Sequence, residues 1–224
     1  MKEPAQPLYR FGRWLFWNWF RLYGLRCYGW ENVPSEGPCL IVCNHQSFMD
    51  PPVLGCSVPH RQVHFMAKKE LFRLWPMRMA LQGVGCFPVD RHRSDRAAMK
   101  RATELLNAAS VVGLFPEGTR SHDNTMGPWH PGAAVLVART GVPVVPAAVV
   151  NTRQNLEERR LVPGGPPVSI RFGAPIRLDQ EELEGRDRVR YVLERLHRAV
   201  STILEEMATA REGSAPWPSS PKER

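Results

Sequence analysis

The sequence predicts an α/β fold: a single domain with a mostly parallel or mixed central sheet flanked by helices, preceded by an N-terminal amphipathic helical segment. Three observations predict it. Short apolar, β-branched runs recur along the chain. They alternate with stretches of helical spacing rather than with hairpin turns. The 224 residues, 43% hydrophobic, suffice for one substantial core, and no internal repeat marks a second domain.

The elements follow in order. In Leu8 to Tyr23, Leu8, Phe11, Leu15, Trp19 and Leu22 share one helical face while Arg10 and Arg21 lie away from it. The apolar run is too short to span a bilayer, which takes about 20 residues, and no secretory cleavage site accompanies it. Tryptophan and arginine suit a helix lying in a headgroup layer; a helix packed on the domain is the alternative, and opposite faces can serve both. Residues 1–29 are read as this segment, 30–212 as the main domain. Strands are expected at Leu40–Cys43, Val63–Met66, Val84–Val89, Val111–Phe115, Val144–Val150 and Val168–Phe172. Helices are expected at Pro51–Cys56, Glu70–Leu81, Ser94–Ala109 and Pro131–Thr140. The stretch from Ala133 to Val150 is no membrane span, because Arg139, Gly141, Pro143 and Pro146 break it into a helix and a strand. A long helix, Arg186 to Arg211, turns Val189, Leu193, Leu196, Val200, Ile203 and Met207 to the core. Gly213 to Arg224, rich in Pro and Ser, reads as a disordered tail.

Two polar stretches follow apolar runs. In Asn44-His45-Gln46-Ser47-Phe48-Met49-Asp50, the histidine and aspartate are five apart. On one helix, that spacing rotates them roughly 140° from each other. They can meet only across a turn, which Pro51-Pro52 enforces, with Asp50 at the N-cap of a short helix. A carboxylate accepting one imidazole N–H fixes the tautomer, leaves the other nitrogen free as a base, and stabilises the imidazolium that forms. A surface histidine beside a capping aspartate is the bland alternative. The second stretch is Phe115-Pro116-Glu117-Gly118-Thr119-Arg120-Ser121. Gly118 permits close backbone approach to a ligand. Arg120 offers a fork of donors for a phosphate, and Thr119 and Ser121 add hydroxyls. Glu117 repels phosphate, so it is expected to orient Arg120 or Arg91, or to accept from a substrate hydroxyl. An ordinary polar turn is the alternative here.

Two further blocks complete a pattern: Gly85-Cys86-Phe87-Pro88-Val89-Asp90-Arg91 and Val142-Pro143-Val144-Val145-Pro146-Ala147. In this order and spacing the four blocks resemble the signature of the 1-acylglycerol-3-phosphate O-acyltransferase family, glycerolipid acyltransferases with an H-x-x-x-x-D box. Ala67 to Phe72 is similar to the family's stretch between the first two blocks. Pro88 departs from the aliphatic residue usual there, which bears on local strand geometry. The resemblance runs from about Trp30 to about Ile176. It implies acyl transfer from an acyl thioester, acyl-CoA or acyl carrier protein, to the free hydroxyl of a lysophospholipid, giving phosphatidate. His45 would take the hydroxyl proton, Asp50 would orient it, and attack would be direct. Arg91, Glu117, Gly118, Thr119 and Arg120 would bind the glycerol phosphate, with Lys68 near the phosphate or the developing oxyanion. No cofactor and no metal is implied.

The remaining features bear on partners and rivals. A net charge of +8 favours anionic partners such as phospholipid headgroups or CoA phosphates. The basic residues are dispersed and form no nucleic-acid module, so nucleic acid is excluded as a partner. Cys27, Cys39, Cys43, Cys56 and Cys86 form no C-x-x-C pair and read as reduced, buried thiols of a cytosolic compartment. Together with the N-terminal segment, this places the protein on the cytoplasmic face of a membrane as a peripheral, monotopic protein. His60 and His64 lack a third ligand for a metal. Phe48, Met49, Leu71, Phe72, Trp75 and Met79 are candidates for an acyl groove, and equally for core positions. Rival functions are a thioesterase, although no G-x-S-x-G elbow is present, a non-catalytic membrane-binding relative, and an acyltransferase for another lysolipid such as a lyso-ornithine lipid.

Overall fold

The computed structural model describes residues 6–90, 95–121, 126–158, 165–178 and 184–212. At its centre is β2 (Cys39–Cys43), all five residues buried, as a continuous apolar run implies for a strand covered on both faces. It pairs in parallel with β5 (Val111–Leu114) on one side and β6 (Val144–Val150) on the other. Beyond β5 lie β3 (Val63–Lys68) and the edge strand β4 (Phe87–Val89), in the same direction. Beyond β6, β7 (Ser169–Phe172) is antiparallel, and β1 (Arg26–Tyr28) runs parallel to β7. The seven-stranded sheet is therefore mixed, in the order β1-β7-β6-β2-β5-β3-β4.

Parallel neighbours require crossovers, and helices supply them. α2 (Asp50–Cys56) joins β2 to β3, α3 (Trp75–Gly83) joins β3 to β4, α4 (Arg96–Asn107) joins β4 to β5, and α5 (Gly132–Thr140) joins β5 to β6. α1 (Pro7–Arg21) and α2 share one face with a core containing Phe20, Val53, Leu54 and Ile41. α4, α5 and the long α6 (Gly185–Glu212) cover the other, around Leu40, Val42, Leu106 and Leu136. On α6 the buried stripe is Val192, Leu196, Val200, Ile203 and Met207; Val189 and Leu193 are only partly buried.

Several expectations change. β1 (Arg26–Tyr28) has no counterpart among the expected strands: three residues, of which only Cys27 is buried, carry no periodicity. The helix expected over Glu70–Leu81 is instead a 3₁₀ turn, Lys69–Phe72, followed by α3. Pro76 is the cause, since a proline lacks the donor that a helix interior needs and fits only in the first turn. β4 begins at Phe87 rather than Val84, after the chain turns at Gly85, where φ is +82°. Pro88 is accommodated because β4 is the sheet's edge. α4 ends at Asn107, with Ala109 at φ +60°. The tail from Gly213 lies outside the described residues.

α1 serves the core with one face. Phe20 is fully buried, and Trp17 and Trp19 pack partly against the core. The Tyr9 hydroxyl donates to Gly55 O and accepts from Val63 N, both at 3.1 Å, which ties the helix to α2 and β3. Leu8, Phe11, Leu15 and Leu22 of the expected stripe, together with Trp14, face solvent, whereas Trp19 turns to Phe20 and Tyr23. All five cysteines are free, and burial pushes the Cys27 and Cys39 thiols up to about 12, far from reactive thiolates.

Truncating a fully buried phenylalanine costs about 3–5 kcal/mol, whereas surface changes stay within about 0.5. Phe20→Ala is therefore expected to lower the urea midpoint sharply and Phe11→Ala to leave it nearly unchanged. Equal midpoints would show that α1 is not part of the folded unit.

Candidate active site

Strands β2, β5, β3 and β4 are neighbours running the same way, so their carboxyl ends emerge along one edge. Open α/β sheets gather ligands at such an edge. His45 follows β2, Glu117 to Arg120 follow β5, and Lys68 ends β3. Arg91 would come next, after β4, but lies outside the described residues. Up to it the chain is fixed: the Asp95 carboxylate caps α4 at Ala98 N, accepts from Asp90 N at 2.8 Å, and is held below its usual range by these bonds. Asp90 in turn pairs with Lys69 at 2.6 Å.

His45 and Asp50 meet across the turn. Nδ1 lies 2.8 Å from Asp50 Oδ2, with His45 4% and Asp50 1% exposed. Asp50 was expected as the helix N-cap, but Met49 occupies that place and Asp50 is the first helical residue. Its Oδ2 turns back to accept from Gln46 N at 2.6 Å and Ser47 N at 2.8 Å as well. Three donors converging on one oxygen hold the carboxylate and, through it, the imidazole. Because Nδ1–H is directed to Asp50, Nε2 is the nitrogen left as acceptor.

The turn after β5 holds His45 by its backbone. Glu117 Oε1 accepts from His45 N at 2.7 Å, and Ser121 N donates to His45 O at 2.8 Å. Glu117 Oε2 accepts from Gly127 N at 3.0 Å. Burial pushes the Glu117 carboxyl above its usual range, opposed by these two backbone donors. Glu117, expected to orient an arginine or meet a substrate hydroxyl, thus orders the His45 loop through both its oxygens. Gly118 adopts φ +66°, and a methyl there would come within 2.8 Å of the His130 ring. Its first neighbour is therefore a side chain that the sequence did not single out. Thr119 and Arg120 are exposed on the same turn. Lys68, with its side chain 46% exposed, lies 3.9 Å from Glu70.

Other supporting residues carried no sequence signal. Asn44 exchanges two bonds with the Val149 backbone, 2.8 and 3.0 Å, continuing the β2–β6 pairing with a side chain. Phe115 packs on the imidazole, ring centroids 4.5 Å apart, and stacks in turn on Phe65. Gly113 makes room, since a methyl there would lie 2.4 Å from the Phe65 ring. Arg153, after β6, donates to Ser121 O at 2.9 Å. Of the acyl-groove candidates only Met49 is buried; Phe48, Leu71, Trp75 and Met79 are exposed and Phe72 is half-buried, so neither core nor enclosed groove takes them. His60 and His64 contact the backbone carbonyls of Val33 and Gly85.

The family model described as Acyltransferase matches residues 24–150. A 1-acyl-sn-glycerol-3-phosphate acyltransferase of Bacillus subtilis is 35% identical over 125 residues, 56% of this chain and 62% of that protein. The alpha form from Bos taurus is 32% identical over 206 residues, covering 88% and 69%. The chain spans 36% of a chloroplastic relative from Brassica napus and 38% of one from Arabidopsis thaliana, so it covers less than two thirds of these and of the Bacillus relative. The crystal structure of the 1-acyl-sn-glycerophosphate acyltransferase of Thermotoga maritima superposes with a TM-score of 0.64 at 27% identity, covering 88% of this chain and 78% of that one.

Glu117→Ala orphans two backbone donors, at about 1–3 kcal/mol each. Glu117→Gln keeps one acceptor oxygen and can restore only one bond. Thermal unfolding should therefore rank wild type above Gln and Gln above Ala. Three equal midpoints would mean that the His45 loop holds without this carboxylate.

Proposed function

The chain belongs to the acyltransferase family, and on that premise we propose that it transfers an acyl chain from an acyl thioester to the free hydroxyl of 1-acylglycerol-3-phosphate. The products are phosphatidate and the free thiol of the carrier, CoA or acyl carrier protein. The observation that carries the reading is the buried Nδ1–Oδ2 bond of 2.8 Å between His45 and Asp50, at the carboxyl edge of the parallel strands. Nε2 takes the proton of the acceptor hydroxyl as its oxygen attacks the thioester carbonyl. The imidazolium that forms is stabilised by Asp50 at Nδ1 and by the nearby Glu117 carboxylate. No covalent acyl-enzyme is required. General-base assistance of this kind contributes about 10²–10⁴-fold.

The exposed Thr119 and Arg120, with Lys68 one strand further along, suit a phosphate that arrives from solvent or a lipid surface; Arg91 completes the set by its place after β4. No helix among the described residues is long and apolar enough to cross a membrane. The acceptor and product nevertheless reside in bilayers, and the exposed stripe of Leu8, Phe11, Trp14 and Leu15 on α1, with Leu22 at its C-cap, supports peripheral attachment there.

The decisive experiment offers the purified protein a panel of lysolipid acceptors with both donors and reads the products by lipid mass spectrometry. Phosphatidate is expected; exclusive use of a lyso-ornithine lipid would replace the acceptor assigned here. His45→Ala and Asp50→Asn should lower kcat far more than they raise KM, and near-normal turnover of folded His45→Ala would overturn the base assignment. Arg120→Ala and Arg91→Ala should raise KM for the phosphorylated acceptor about ten- to hundredfold, the equivalent of one charge-assisted hydrogen bond. Equal use of monoacylglycerol and lysophosphatidate by the wild type would sink the phosphate clamp.

A further inference from the structure

A helix that crosses between neighbouring parallel strands ordinarily buries a stripe on the sheet. α3 buries nothing. Leu74, just before it, and Trp75, Met77 and Met79 within it are 70, 73, 45 and 54% exposed. One such residue on a surface is ordinary; four within six positions form a patch that calls for a partner. Arg73 and Arg78 stand exposed among them, and from Lys68 to Gly83 the only acidic residue, Glu70, is set against Lys68, Lys69, Arg73 and Arg78. An apolar surface studded with cations complements an anionic lipid layer. The patch also continues beyond its own helix. Leu8 of α1 lies against Gly83, where a methyl would fall 2.2 Å from Leu8 Cδ2, and Gly12 faces Val84. The exposed stripe of α1 and that of α3 thus adjoin.

We infer that α3 is a second docking element, which seats Leu74, Trp75, Met77 and Met79 in the headgroup–acyl boundary of an anionic bilayer with Arg73 and Arg78 at the lipid phosphates. The inference rests on reading the chain as an enzyme with a bilayer-borne acceptor, and it goes beyond attachment by α1 alone. The two helices then hold the protein by one face of its sheet, which fixes its rotation on the surface as a single helix cannot.

The test is flotation of the full chain with phosphatidylcholine vesicles, with and without phosphatidylglycerol. The variants are Leu74→Ser/Met77→Gln on α3 and Phe11→Ser/Leu15→Ser on α1. Residue 74 is the N-cap of α3, where serine favours the helix, so loss of binding in the first variant is not loss of the helix. Binding to phosphatidylglycerol vesicles should fall at least about tenfold in each double variant, as removal of a few buried methylenes predicts. Transfer to a short-chain, water-soluble acceptor should stay within about twofold, as for other surface changes. A nitrobenzoxadiazole dye on Met77→Cys, in a Cys86→Ser background, should shift to the blue on anionic vesicles. Undiminished flotation of the α3 variant overturns the inference, as does a dye that stays in water. A changed acyl-length preference on soluble substrates would make α3 part of the acyl site. A dimer lost in the α3 variant, with flotation unchanged, would make it a contact between copies. If the wild type floats and the α3 variant does not, while no acceptor is acylated, docking stands and the proposed reaction falls.

Discussion

Both polar groups of the His45 backbone are held by the segment that follows β5: its N–H by Glu117 Oε1 and its carbonyl by the Ser121 N–H. Everything the imidazole can do depends on this clamp. Strands β2 and β5 pair in parallel up to Val42 and Leu114, so their exits emerge side by side, roughly 4.8 Å apart. The sheet thereby sets the coarse spacing, and the clamp sets the fine orientation of a residue that has just left regular structure. In a buried setting such bonds are strong when made and costly when broken. The loop accordingly behaves as part of the sheet, although it belongs to no strand.

The clamp is bracketed on the other side by β6. Asn44 extends the β2–β6 pairing one step past the last backbone pair, using its side-chain amide on Val149. Arg153, from the turn after β6, reaches over to the carbonyl of Ser121, the residue whose N–H holds His45. His45 is thus fixed from both neighbouring strands, while Phe115 fixes the face of its ring. The contrast with Thr119, Arg120 and Lys68 is physical. The proposed base is held rigidly away from competing water, whereas side chains proposed to meet a phosphate at a lipid surface need to reach outward.

This division explains what the sequence made legible. The sheet was readable because its strands are apolar and β-branched on both faces, and the His45–Asp50 pair because a spacing of five and two prolines leave one way to meet. The role of Glu117 was not readable. Its partners are the backbone donors of His45 and Gly127, and a sequence shows side chains, not which N–H groups a fold leaves unpaired. Asn44 and Arg153 were hidden for the same reason. The split of the helix at Pro76 is masked in the sequence, because the apolar spacing on either side of the proline carries the periodicity through it. β1 was hidden by brevity: a strand of three residues pairs only because β7 already presents an open edge.

Periodicity also says that a helix has an apolar face without saying what that face meets. α6 turns its stripe of Val192, Leu196, Val200, Ile203 and Met207 onto the sheet and presents arginines and glutamates outward. α1 and α3 have comparable apolar content, yet α1 divides it between core and solvent and α3 fully buries none of it. The difference lies in the layer beneath. On the α4–α5–α6 face the helices close over the core. On the opposite face α1 and α2 already fill the core with Phe20, Val53 and Leu54, and little apolar sheet remains for α3 to cover. A fold that saturates one side and leaves apolar helices standing on the other has a built-in asymmetry. For a chain whose proposed acceptor sits in a lipid layer, that asymmetry would give the proposed catalytic edge a defined orientation, set by where the protein's own core runs out of surface to bury.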